Sequence, residues 1–211
     1  MKNIPILTIL LLILSACSTT KNPSGFIASD QQPKSLATPQ IPICDLVPIK
    51  VPTLPSVIPG YTQLDKSNGL HMTGNVQVID FSSYRLLVTG LVDQPLSLHY
   101  DELRCLPKVT ARPKLICPGF FEDIATWSGV PIYEILKLAY PQPQAKTVSF
   151  ISADGFSVDI DLETAMNHEN FLAYELEGQP IPVLHGFPLR AVFPSLDGGN
   201  WVKWLVEIKI K

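Results

Sequence analysis

Three cations, His185, Arg190 and Lys203, stand on short turns between apolar runs in one stretch, HGFPLRAVFPSLDGGNWVKWLVEIK, from His185 to Lys209. Arginine offers a planar fork to phosphate oxygens and lysine a point charge, so converging cations suit a phosphorylated ligand. Between Arg190 and Lys203, Asp197-Gly198-Gly199-Asn200 supplies backbone that a ligand can approach closely. The same residues are also compatible with a Gly198-Gly199 hairpin whose flanking cations merely solvate strand edges. Earlier in the chain a solitary Cys117 sits in the run Leu115-Ile116-Cys117-Pro118-Gly119. A thiolate there suits a soft metal. Pro118-Gly119 ends the run just after the thiol and can expose the sulfur at a strand-to-loop junction. Two other readings stay open: a small buried hydrophobe, and a thiol nucleophile with His185 as its base.

The remaining ionisable residues carry less. Asp159, Asp161 and Glu163 alternate with Val158, Ile160 and Leu162, the pattern of a solvated strand face. His71, His99 and His168 have no partner at metal-ligand spacing, and Met72, Met166 and the tryptophans are expected to pack. The net charge of −3 and the lack of a Lys/Arg cluster exclude a nucleic-acid partner.

The elements that must position Cys117, Arg190 and Lys203 are short. Strands are expected at 84–88, 96–98, 114–117, 148–152, 156–162, 171–175, 189–193 and 202–210, and helices at 100–106, 131–138 and 162–168. Proline at the first turn supports the second helix. Many strands with three brief helices give an α+β, strand-dominated fold in a single domain over 70–211. There is no repeat, phosphate loop or dinucleotide fingerprint.

The N-terminal part is of a different kind. Lys2, the apolar run Ile4–Leu14 and Leu14-Ser15-Ala16-Cys17 read as a lipoprotein signal over 1–17, with Cys17 the lipidated residue. Residues 18–69 are expected to be a tether or strap, since eight prolines between Pro23 and Pro59 favour extended backbone. The chain is thus expected in the cell envelope, facing the periplasm and held to the membrane by lipid alone. Ser18 points to the outer membrane if the host is Gram-negative. Setting Cys17 aside leaves Cys44, Cys105 and Cys117. A Cys44–Cys105 bridge with Cys117 free, and three reduced buried thiols, are both compatible with that odd count.

From Tyr84 to Lys209 the chain resembles the molybdopterin-binding domain of the sulfite oxidase family. The blocks YRLLVTGLVDQPLSL, LPKV, the cysteine strand, the turn Trp127-Ser128-Gly129-Val130-Pro131, LAYELEG, HGFPLR and VKWL follow that family's order of elements. The resemblance implies a molybdenum–molybdopterin cofactor with Cys117 as the protein's thiolate ligand. It also implies that His185, Arg190, Gly198, Gly199 and Lys203 hold the pterin and its phosphate. Two-electron oxygen-atom transfer on a small-molecule substrate is the implied activity. No haem domain or C-terminal dimerisation domain of the family appears in this sequence, so a separate electron-transfer partner, a cytochrome or membrane subunit, is expected. Where sulfite-oxidising relatives place arginines beside the cysteine, this chain reads Phe120-Phe121-Glu122-Asp123, which favours a neutral substrate such as a sulfoxide or N-oxide. The n-region Met1-Lys2-Asn3 has no arginine pair for export of a folded, loaded protein. The alternative expectation is therefore a cofactor-free binding module on the same scaffold.

Overall fold

The computed structural model describes residues 41–211. The expected signal with its Cys17, and the first part of the tether, lie outside the described residues.

The chain first crosses itself in a small hairpin of β1 (Leu64–Asp65) and β2 (Leu70–His71). Next come β3 (Leu86–Gly90), β4 (Leu96–Leu98) and helix α1 (Tyr100–Arg104). β5 (Val109–Ala111), β6 (Lys114–Cys117), β7 (Phe121–Ile124) and β8 (Trp127–Pro131) follow, then helix α2 (Ile132–Ala139). β9 (Thr147–Ser152), β10 (Ser157–Asp161), helix α3 (Leu162–Ala165) and β11 (Phe171–Leu176) lead to the final quarter. That quarter holds β12 (Gln179–Pro180), β13 (Arg190–Val192) and β14 (Leu205–Ile210).

Two five-stranded sheets share one core. The first has the order β10-β9-β14-β3-β4, and the second runs β12-β11-β8-β5 with β13 also on β11. Period-two burial explains the first sheet: Leu86 and Val88 of β3, and Leu205, Ile208 and Ile210 of β14, are buried while Lys209 is exposed. β14 lies parallel to β3 and antiparallel to β9, so the last strand of the sequence occupies the centre of its sheet. In α2, Ile132, Ile135, Leu136 and Ala139 are buried at helical spacing, and Tyr140 ends the helix in the left-handed region at φ 52°.

The strand-dominated α+β expectation agrees with this architecture, and the structure alters it in three places. Trp127-Ser128-Gly129-Val130-Pro131 is β8, buried along its whole length between β11 and β5, not a turn. A strand covered on both faces shows no alternation, so period two gives no signal for it. Gly129 is required there, because a Cβ would stand 1.9 Å from the Leu172 carbonyl oxygen. Phe121–Ile124, read only as residues beside the cysteine, form β7 and pair with the whole of β6. Finally, Tyr61 to Gly69, assigned to the tether, belong to the β1–β2 hairpin region that packs on the domain. Ahead of it, residues 41–59 have no regular element apart from a bend, yet Ile41 and Ile49 pack against the core. Cys44 is bridged to Cys105 at the end of α1, with Cα atoms 5.6 Å apart, and Arg104 Nη2 donates to the Val47 carbonyl at 3.0 Å. Cys117 is the free cysteine among the described residues.

Candidate active site

A cavity of about 490 Å³ opens where the β6–β7 hairpin, the β1–β2 hairpin and the Arg190–Lys203 segment meet. Cys117 comes to it from the end of β6. The tight turn Pro118-Gly119 returns the chain as β7, so the half-buried Sγ faces the cavity at the hairpin end.

Arg190 opens β13 and is buried, with its guanidinium centre 5.0 Å from the Trp127 ring and 5.5 Å from the Trp201 ring. Its Nη1 donates to the His185 carbonyl at 3.3 Å, and its Nε has no hydrogen-bond partner among the described residues. Lys203 lines the cavity, and the next residue, Trp204, is left-handed at φ 50° and donates its indole N–H to the Val183 carbonyl at 2.8 Å. The Lys203 ammonium lies 4.5 Å from the Trp204 ring centre and donates to the carbonyls of Leu184, at 3.0 Å, and Thr73. Among the described residues no carboxylate forms an ion pair with Arg190 or Lys203. Burial therefore pushes Lys203 down to about 6, Arg190 adding to the effect and Asp154 opposing it. Burial likewise brings Arg190 down to about 10, with Asp123 working the other way.

Gly198 and Gly199 line the cavity on a 3-10 turn, Gly198–Asn200, rather than in a hairpin. A Cβ on Gly198 would meet Leu115 Cδ2 at 2.8 Å and the Ile116 carbonyl at 3.1 Å, so this glycine lets the turn close on the cysteine strand. Gly199 has open space around it.

His185 departs from its expected place. It is buried behind the cavity wall and does not line it; its Nε2 lies 3.1 Å from Asp65 Oδ2. Burial brings it down to about 4, aided by Arg190 and Lys203 and opposed by Asp65, so near neutrality it is uncharged and Nε2–H donates. Burial works to raise Asp65, but hydrogen bonds from Ser67, His185 and Asn68 outweigh it and hold the carboxylate below its usual range. What His185 offers the site is its carbonyl, which holds Arg190. The physical reason is that the 3-10 turn Val183–His185 presents backbone toward Arg190 and Lys203 and sends the imidazole toward the β1–β2 hairpin.

Several lining residues had no signal in the sequence. His71 of β2 joins Asp123 of β7: Nδ1 lies 2.6 Å from Oδ1, and the His71 backbone N–H donates to Oδ2 at 2.8 Å. The imidazole stacks on Phe121, with centroids 4.4 Å apart and planes 13° apart. Glu122, beside it, faces out and pairs with Lys114. Tyr61, Thr73 and Trp204 also line the cavity. His71 and Asp123 are separated by 52 positions, so no spacing rule could have joined them.

A free thiol, an unsatisfied buried guanidinium nitrogen and an ammonium held only by neutral carbonyls form a donor set for a ligand that carries anionic oxygens and binds sulfur through a soft metal. The family described as the oxidoreductase molybdopterin binding domain matches residues 73–211. A protein of Azospira oryzae, provisionally named as protein-methionine-sulfoxide reductase subunit YedZ1, is 34% identical over 138 residues, covering 65% of this chain and 53% of that protein. An uncharacterized oxidoreductase of Bacillus subtilis, YuiH, is 31% identical over 139 residues, covering 65% of this chain and 70% of the relative. The sulfite oxidase of Arabidopsis thaliana is 30% identical, with 65% and 44% covered. The chain thus spans about half the length of the first and third of these relatives. Among solved structures, the sulfane dehydrogenase SoxCD of Paracoccus pantotrophus superposes with a TM-score of 0.61 at 24% identity, covering 68% of this chain and 41% of that one, which shows a shared fold.

Proposed function

The chain belongs to the oxidoreductase molybdopterin-binding domain family, and on that footing we propose that it reduces a neutral sulfoxide by two-electron oxygen-atom transfer. Its cofactor is molybdenum–molybdopterin, and the donor set of the cavity fits that group. The observation that carries the proposal is the free Cys117 sharing one cavity with Arg190 and Lys203, two cations without a carboxylate partner.

In this reading Cys117 is the protein's thiolate to the metal. Arg190 and Lys203 hold the phosphate of the cofactor, Arg190 through its free Nε and Lys203 as a point charge, with Gly198 and Gly199 allowing close backbone approach. When bound, that group would supply the two-electron redox chemistry. The two tryptophans beside Arg190 fix its plane and exclude water from it, which strengthens its hold on an anion. His185 acts from behind, its carbonyl orienting Arg190.

The sulfoxide follows from the wall beside Cys117. Phe121 and the buried Asp123 stand there, and a carboxylate disfavours an anionic substrate such as sulfite. The name of the Azospira oryzae relative supports the same substrate class. Electrons would come from a separate redox protein. The sequence of residues 1–17 supports a lipid anchor at Cys17 and a site of action in the cell envelope; incorporation of a labelled fatty acid, lost in Cys17→Ser, tests that part.

The deciding experiment measures molybdenum per chain, and methionine sulfoxide or dimethyl sulfoxide reduction with a reduced viologen, in protein purified from its own host. Near-stoichiometric metal with turnover, both lost in Cys117→Ser while the fold persists, is the expected result. Turnover retained in Cys117→Ser removes the ligand assignment. A metal-free protein from a host whose other molybdenum enzymes are loaded leaves a binding role for the cavity.

A further inference from the structure

We infer that His71 is the proton donor of this active site and Asp123 the residue that positions it, an inference resting on the sulfoxide reading above. Reduction of a sulfoxide consumes two protons as well as two electrons. The S–O bond breaks, sulfur retains the bonding pair as the second lone pair of the sulfide, and the oxygen takes the two electrons and two protons and leaves as water. A one-electron redox-protein partner, acting twice, supplies the electrons. A group in the cavity must supply the protons.

Three observations select His71. First, its ring orientation is fixed from two sides. Asp123 receives both the Nδ1 contact at 2.6 Å and the backbone N–H at 2.8 Å, and Phe121 holds the ring plane by stacking. A carboxylate only accepts hydrogen bonds, so Nδ1 carries the hydrogen. The nitrogen that can take up and give a proton is then Nε2, which carries one only in the imidazolium form and has no hydrogen-bond partner among the described residues. This is the arrangement in which a carboxylate orients a working imidazole. Second, His71 lines the same cavity as Cys117, and Phe121, on which it stacks, is the cross-strand partner of Cys117. Third, the His71 side chain is 26% exposed, against 4% for Asp123, so the imidazole can be reprotonated from solvent while its carboxylate stays dry.

The other titratable residues of the cavity are already committed or misplaced. Arg190 and Lys203 are the anion-holding cations, and Lys203 donates to two carbonyls. Asp154 accepts the Phe156 N–H at its own turn. Tyr61 stands at the mouth, largely exposed. His185, a buried imidazole nearby, is turned away to Asp65. As the imidazolium, His71 therefore gives its Nε2 proton to the departing oxygen and becomes the Nδ1–H imidazole, regains a proton on Nε2 from water at the cavity mouth, and gives the second, while Asp123 holds Nδ1–H throughout.

The test compares wild type, His71→Gln and Asp123→Asn in the full chain. Nitrogen-15 NMR of the histidines, which needs no turnover, is expected to show His71 as the Nδ1–H tautomer in wild type and to lose that preference in Asp123→Asn. With metal content unchanged, His71→Gln is expected to lower kcat for dimethyl sulfoxide by ~10²-fold or more, with little change in KM. Asp123→Asn should lower kcat less. Wild-type protein that is loaded and turns over, with His71→Gln equally fast, overturns the dyad alone. An Nε2–H tautomer in wild type overturns it as well. Loaded wild type that reduces no sulfoxide sinks the reading on which the dyad rests, whatever the NMR shows.

Discussion

At the scale of single residues, the site is an exercise in leaving charge unpaired. Arg190 and Lys203 are buried against tryptophan rings and carbonyls with no carboxylate partner, an arrangement that disfavours the charged forms until an anion arrives. The consequence for Lys203 can be measured. Its amine is at about 6 in the folded protein against an ordinary 10.5, so between those values the unfolded chain binds a proton that the folded chain does not. Stability of the metal-free protein should therefore rise with pH across roughly 7.5 to 9, where carboxylates and His185 are silent, and the part of the slope due to Lys203 should level off below 6. Urea unfolding at several pH values should show this slope in wild type and a flattened one in Lys203→Met. A slope identical in both would mean that another group is responsible. Bound phosphate, by favouring the ammonium, should reduce the slope.

At the scale of elements, the β6–β7 hairpin is the device that holds the thiol. It is fixed from behind by the Gly198–Asn200 turn and from the side by the β1–β2 hairpin through His71 and Asp123. Gly198→Ala places a methyl 2.8 Å from Leu115 Cδ2 and 3.1 Å from the Ile116 carbonyl, so either the turn or the cysteine strand must move. A loss of about 1 kcal/mol in thermal unfolding, together with weakened molybdenum retention, is expected. Stability lost with metal fully retained would separate this packing from the site. The β1–β2 hairpin itself is short, and its attachment comes from side chains: Asp65 to His185, and His71 to Asp123. Elements this small are stable only through such tertiary contacts.

Across the whole molecule, β14 joins the last residues of the chain to β3 and β9, closing the first sheet at its centre. At the other end, the Cys44–Cys105 bridge spans 61 positions and pins residues 41–59 to the end of α1. Closing a loop of that length restricts the unfolded chain by about 4 kcal/mol on a chain-entropy basis. The double variant Cys44→Ser/Cys105→Ser should lose stability on that order, with metal binding at the distant cavity retained. A loss of well under 1 kcal/mol would show that the strap stays ordered without the bridge.

The sequence by itself determined the strand-dominated architecture, because alternating burial writes period two into β3, β10 and β14 and helical spacing into α2. It also marked Cys117, Arg190, Gly198, Gly199 and Lys203, all of which line the one cavity, because unusual residue types at turns between apolar runs are visible locally. It did not reveal β8, since a strand buried on both faces has no alternation to read. Nor does it show the place of His185, whose ring leaves a 3-10 turn on the side away from the cavity. Nor could it join His71 to Asp123, whose meeting depends on how two separate hairpins dock. Residue chemistry and periodicity are local properties of the chain. Which side of a wall a ring occupies, and which carboxylate it meets, is decided only when the sheets and hairpins pack.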